Sequence, residues 1–232
     1  MGTAAPETTG KPSTSPYVLP TGTPAARSGP ESRNSSRLVN QREIDSYVLG
    51  LKDVPGSEIA TNAGRTTAGT EMPVRLFTGN LPRISPSSCQ HVYENSQQAG
   101  AYRQYARTDN IISGHGTALH VALIAYRPGD AHKVLADLRA ALPGCTSYAG
   151  PVDMTQGFEH PQLLPDPHLG DEALEYGIME KISDEQGTVR APFHYLLVRK
   201  GSVIAWFEVQ ALPGETVALP MHVINTQLAN LP

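Results

Sequence analysis

Two cysteines in 232 residues, Cys89 and Cys145, constrain this chain more than any other feature. Each stands at the end of a helix-like segment in an otherwise strand-rich sequence, and such a pair reads as one structural disulfide. That reading places the chain outside the cytosol, where oxidised pairs persist. Joining positions 89 and 145 closes a loop of 56 residue steps (145 − 89), and chain-entropy arguments assign such a closure roughly 4 kcal/mol. The alternative is two free thiols buried as small hydrophobes. A catalytic thiol fits less well, because neither cysteine has a base or a thiolate-stabilising context beside it.

A formal charge of -4 and a pI near 6.0 argue against nucleic acid as a partner, which would call for clustered Lys and Arg. The longest apolar run, Ala118 to Tyr126, is interrupted by His120. It falls far short of the ~20 residues of a membrane helix. The opening residues carry no basic or apolar signal region, so an exported product would already have lost its signal. Pro6 stands where a myristoylation site wants Ser or Thr.

Residues 1–39 read as a disordered tether, since 22 of them are Pro, Gly, Ser or Thr. Such a stretch cannot bury enough apolar area to offset chain entropy, and it suits an extended spacer as well as a ragged terminus. Order is expected from Asn40, an N-cap with Glu43 three residues on, followed by an apolar face at Ile44, Tyr47, Val48 and Leu51. A variable stretch to about Met72 precedes a second helix signalled by Ser85 and Pro86, with Cys89, Val92 and Tyr93 on its inner face. Ala101–Thr108 reads as a half-exposed strand. Gly116–Tyr126 reads as a central strand buried on both sides, with Leu119, Val121 and Leu123 opposite Ala122 and Ile124. A third helix follows Pro128-Gly129-Asp130, its apolar face formed by Val134, Leu135, Leu138, Ala141 and Leu142.

Residues 150–172 read as an irregular Pro-rich connection. Leu174, Tyr176 and Ile178 then alternate as a strand. Phe193–Arg199 and Val203–Gln210 flank Lys200-Gly201 as a tight antiparallel hairpin, and Met221, Ile224, Leu228 and Leu231 mark a closing helix. Adjacent strand runs imply antiparallel pairing, so the expected class is α+β: a twisted antiparallel sheet with helices packed on a face, one disulfide and a disordered N-terminal tail.

The chemistry-bearing residues are sparse. No dinucleotide or P-loop glycine pattern occurs and no cofactor is expected. Glu159, His160, Asp166 and His168 could be gathered into a metal or acid–base cluster, but their spacing matches no ligand motif, and a turn-rich surface loop is the plainer reading. His115 and His120 would point to opposite faces of one strand and cannot share an ion. Asp171-Glu172 and Asp184-Glu185 suit a turn and a solvated hairpin end. Ser113-Gly114-His115-Gly116 lacks a nucleophile elbow. Among the aromatics on or beside strands, Tyr176, Tyr195 and Trp206 are the candidate lining of a ligand cleft, with ordinary core packing as the alternative.

Ser88-Cys89 opening a helix, Leu142-Pro143-Gly144-Cys145 closing one, Leu169 to Leu174 entering a strand and the hairpin Leu197 to Ile204 together carry a resemblance. Over about residues 40–232 the chain resembles the secreted actinobacterial lipoproteins related to the extracellular sensor domain of mycobacterial serine/threonine kinase H. The resemblance implies an exported sensor or binding domain on an antiparallel sheet with helices and a ligand cleft. It also implies peripheral attachment through a lipidated Cys ahead of residue 1. The kinase-type sensor carries two disulfides, whereas this chain can form one. The partner expected is a small molecule or cell-envelope component of unstated identity. The competing expectations are a cell-envelope enzyme using the 159–172 loop and an adhesive surface protein. Oligomeric state is not legible.

Overall fold

The structure is a computed structural model that describes residues 37–61, 81–114, 117–150, 156–216 and 218–232. Eight strands form one sheet: β1 (Glu58–Thr61), β2 (Ala106–Gly114), β3 (Thr117–Ala125), β4 (Ser147–Ala149), β5 (Gln156–Leu163), β6 (Glu172–Asp184), β7 (Gly187–Lys200) and β8 (Val203–Gln210). Their order is β1-β2-β3-β8-β7-β6-β5-β4, with every neighbouring pair antiparallel. Among the described residues the α-helices are α1 (Gln41–Tyr47), α2 (Gln90–Ser96), α3 (Asp130–Ala141) and α4 (Met221–Ala229).

The alternation along β3 explains the layering. Leu119, Val121 and Leu123 enter one hydrophobic cluster with Ile44 of α1 and Val223, Ile224 and Leu228 of α4. Ala122 and Ile124 enter a second cluster with Val92 of α2 and Leu135 and Leu138 of α3. Helices therefore cover both faces of the sheet, which corrects the expectation of helices on one. The reason lies in β3, β7 and β8: strands apolar on both sides must be covered on both.

Several elements sit where the sequence places them. The Asn40 side chain accepts from the Glu43 N–H at 3.1 Å while Glu43 accepts from the Asn40 N–H at 3.0 Å, the reciprocal capping pair expected for α1. Lys200 faces Val203 across a two-residue turn in which Gly201 supplies a left-handed backbone (φ 59). Cys89 and Cys145 are bonded and buried, joining the turn ahead of α2 to the turn after α3.

Other elements differ. The strand expected over Ala101–Thr108 begins only at Ala106 and runs on to Gly114. The connection expected over 150–172 contains β5, with a bulge between Glu159 and Gln162 where Pro161 is accommodated. The stretch expected to be variable contains β1. Met221 is exposed rather than on the inner face of α4. His115 and residues 1–36 of the tail lie outside the described residues; of the remaining tail residues, Arg37 bonds to the domain and Val39 is buried in the first cluster. Among the described residues no helix is long and apolar enough to cross a membrane.

Candidate functional site

Tyr176, Tyr195 and Trp206 are brought together, but inside the second cluster rather than around an open cleft. Their exposures are 0%, 2% and 1%. Tyr176 and Tyr195 stack at 4.8 Å between ring centroids, and Trp206 lies 5.5 Å from Tyr195. The Tyr176 hydroxyl donates to Asn95 Oδ1 at 2.7 Å, and burial pushes both phenols well above their ordinary range. Their faces are spent on packing within the cluster that β6, β7 and β8 share with α2 and α3.

The 159–172 residues do not converge. Glu159 is held by Arg190 at 3.1 Å and Lys181 at 3.3 Å, and those contacts, Arg190 foremost, lower its carboxyl below the ordinary value. Asp166 caps its own loop by accepting from the His168 N–H at 2.8 Å. Glu172 instead anchors α3, accepting from Arg139 at 2.7 Å. Asp184 accepts from the N–H groups of Gln186 and Gly187 at the hairpin end, as its turn position implies. Among the described residues no group of three or more His, Cys, Asp or Glu side chains is placed to hold a metal.

The concentration of buried polar chemistry lies elsewhere on the second face. Register puts Ile111, His120, Glu208, Tyr195 and Tyr176 in one row across β2, β3, β8, β7 and β6. Beside that row Arg107 grips Asp109 through Nε and Nη2, both at 2.6 Å, with each side chain 12% exposed. Asp109 Oδ1 stands 3.6 Å from His120 Nε2, and the imidazole packs edge-on against Trp206 at 5.3 Å.

The hydrogen bonds fix the neutral imidazole's tautomer. A guanidinium offers only donors, so the Gln98 side-chain oxygen must face Arg107 Nη2, with which it makes a close contact. The Gln98 amide nitrogen is thereby turned to His120 Nδ1 at 3.4 Å, which must accept. The proton of the neutral ring therefore sits on Nε2, facing Asp109. His120 Nε2 and Trp206 Nε1 are both buried without a hydrogen-bond partner.

Glu208 is directly opposite His120. Burial raises its carboxyl above the ordinary value, partly offset by His120 and the Tyr195 hydroxyl, while Glu180 pushes the same way as burial. Glu180 is itself buried and held by two neutral amides, Gln156 at 2.5 Å and Gln210 at 3.2 Å. The cluster thus offers an imidazole, a desolvated carboxyl and two unpaired ring nitrogens in one place, a combination suited to taking up protons or hydrogen-bonding a small polar molecule.

Segment 97–105 closes over this cluster from the end of α2. Gln98 adopts a left-handed backbone (φ 51), and its carbonyl accepts from Gln104 Nε2 at 2.6 Å and Arg107 Nη1 at 3.2 Å. Beyond it a crevice of about 20 Å³ opens between α2 and α3, lined by Glu94, Asn95, Asp137 and residues 99–102; such a volume is room for one water. A larger cleft of about 330 Å³ lies at the β4–β5 edge, lined by Ser85, Tyr148, Phe158 and Lys181 among others. None of the three sequence-predicted aromatics lines either.

Sequence reasoning missed Arg107, Asp109, Gln98 and Glu208, and noted His120 as a break in an apolar run and as a histidine unable to share an ion with His115. The available signal was that interruption, with a second at Glu208 between Phe207 and Val209. Connecting them requires the β3–β8 pairing.

No family model matches the chain, and no curated protein does. Solved structures do. The extracellular domain of PknH from Mycobacterium tuberculosis is 10% identical, with a TM-score of 0.51, covering 84% of this chain and 97% of that one. An uncharacterised protein from Mycobacterium smegmatis is 13% identical, with a TM-score of 0.41, covering 87% and 96%. The chain has a PknH-like fold.

Proposed function

We propose that residues 37–232 form a non-enzymatic extracytoplasmic sensing or binding module, spaced from the cell surface by the Pro/Ser/Thr-rich N-terminal segment. Its operative site is the cluster of Arg107, Asp109, His120 and Glu208. The fold it shares with an extracellular domain and its buried disulfide support the location. The observation carrying the site is the pairing of a desolvated Glu208 with His120 above an unpartnered Trp206 indole N–H. A group kept against its own solvation, beside unsatisfied polar atoms, marks a place shaped for something other than stability. The ligand class this chemistry fits is a small polar molecule carrying both donors and acceptors.

Trp206 is the chain's single tryptophan, so its fluorescence and indole N–H signal report directly on the site. A fragment library of small amides and carboxylic acids, titrated against the whole chain, should yield binders that shift the indole signal and the amides of residues 107–109, 118–122 and 206–208. Those shifts should vanish in Glu208→Gln. Binders that perturb only residues remote from the cluster, or a library without binders, would overturn the assignment.

A further inference from the structure

We propose that His120 and Gln98 form a proton-operated latch on segment 97–105, in which proton uptake by the imidazole releases the segment from the sheet. The latch deepens the sensing reading and rests on the same cluster.

The argument is one of donor and acceptor counting. In the neutral state the Gln98 amide satisfies both neighbours at once: its oxygen faces Arg107 and its nitrogen donates to His120 Nδ1. An imidazolium donates at both nitrogens. Protonation of Nδ1 therefore sets an N–H against the Gln98 NH₂. Rotating the amide to present its oxygen to His120 would turn the NH₂ onto the Arg107 guanidinium, which has no acceptor. Neither orientation satisfies both neighbours, so Gln98 must leave one of them. Gln98 is only 6% exposed and cannot exchange that lost bond for water without moving.

Around the ring, Asp109 of β2 faces Nε2 at 3.6 Å, and Glu208 of β8 is the cross-strand neighbour of His120. Arg107 opposes the charge but is already neutralised by Asp109 through two bonds. Tyr195 of β7 and Glu180 of β6 act through Glu208, the first donating toward it and the second raising its carboxyl. Two arrangements thus compete: a neutral ring with Gln98 bound, and an imidazolium facing Asp109 with Gln98 displaced. The displaced residue is the hinge of the segment, since its left-handed backbone ends α2 and its carbonyl ties Gln104 and Arg107. Residues 99–102 beyond it wall the crevice between α2 and α3. Proton uptake accordingly opens that crevice.

The test is hydrogen exchange of the whole chain, corrected for the intrinsic pH dependence of amide exchange. Histidine ordinarily changes charge between about pH 5 and 8, so the comparison runs from about pH 7.5 to about pH 5.5. Protection across residues 97–105 should fall by about tenfold while residues 193–199 of β7 stay unchanged, the mark of local rather than global opening. His120→Gln should abolish the pH response, and Gln98→Ala should leave the segment open at both values. Glu208→Gln should move the midpoint to lower pH, because the imidazolium loses a counter-charge. A wild type without a pH response in 97–105, or a response that survives in His120→Gln, overturns the latch. A latch that responds in a chain binding no fragment retains the proposal and removes the ligand reading instead.

Discussion

Glu208 is a carboxyl whose surroundings oppose its charge. Burial raises its carboxyl above the ordinary value, so the folded chain holds this proton more tightly than the unfolded chain. The linkage sign follows: the stabilisation is complete below the ordinary carboxylate range and is lost as pH rises through the raised value. Glu208→Gln should therefore match the wild type at low pH and exceed it increasingly as pH climbs through that window, then by a constant margin. Urea midpoints across a pH series check this, and a margin independent of pH would refute the assignment. At this scale the sequence was partly legible. His120 and Glu208 stand out as ionisable residues within apolar strands, whereas Tyr176, Tyr195 and Trp206 looked like lining and proved to be filling. Nothing local reveals that helices cover this face of the central strands, and that decided the difference.

At the scale of elements, two glutamine amides act as surrogate backbone. Gln41 donates to the Arg107 carbonyl at 2.7 Å and accepts from the Arg107 N–H at 3.1 Å, fixing α1 to the start of β2. Gln227, fully buried, accepts from the Leu49 N–H at 3.1 Å and donates to the Tyr47 carbonyl at 2.8 Å, fixing α4 to the end of α1. Gln227→Leu keeps the bulk and strands two buried backbone groups, an expected loss of roughly 3 kcal/mol in urea unfolding. Gln41→Ala, on a more exposed amide, should lose less. The periodicities of β3, β8, α1 and α3 were readable because apolar burial alone sets them. Strand β2 was misplaced because Arg107 and Asp109 are buried against each other, which inverts the usual meaning of charge along a strand. Strand β5 was missed because Pro161 reads as a strand breaker unless a bulge receives it.

The whole molecule is fastened unequally. The second face is stapled by Cys89–Cys145, the two cysteines being 0% and 3% exposed. The first face relies on Gln41, Gln227, the bonds from Lys200 Nζ to the Leu228 and Leu231 carbonyls, and apolar contact. Replacing both cysteines with serine should cost at most about 4 kcal/mol, a large share of a typical ~5–15 kcal/mol. Reductant should lower the urea midpoint of the wild type toward that of the double variant and leave the variant unmoved. Equal midpoints for all samples would show the bond to be idle. The disulfide was legible from the cysteine count and the place of each cysteine at a helix end, while the placement of helices on both faces depended on which strands lie at the centre.

Arg37 meets the sheet through its carbonyl, which accepts from Ser202 in the β7–β8 turn at 2.8 Å. A mechanical load applied there is delivered to the unstapled layer first. Stretched from that point, the module should shed α1 and α4 as an early, low-force step, while the cross-linked layer with its latch holds on to higher extension.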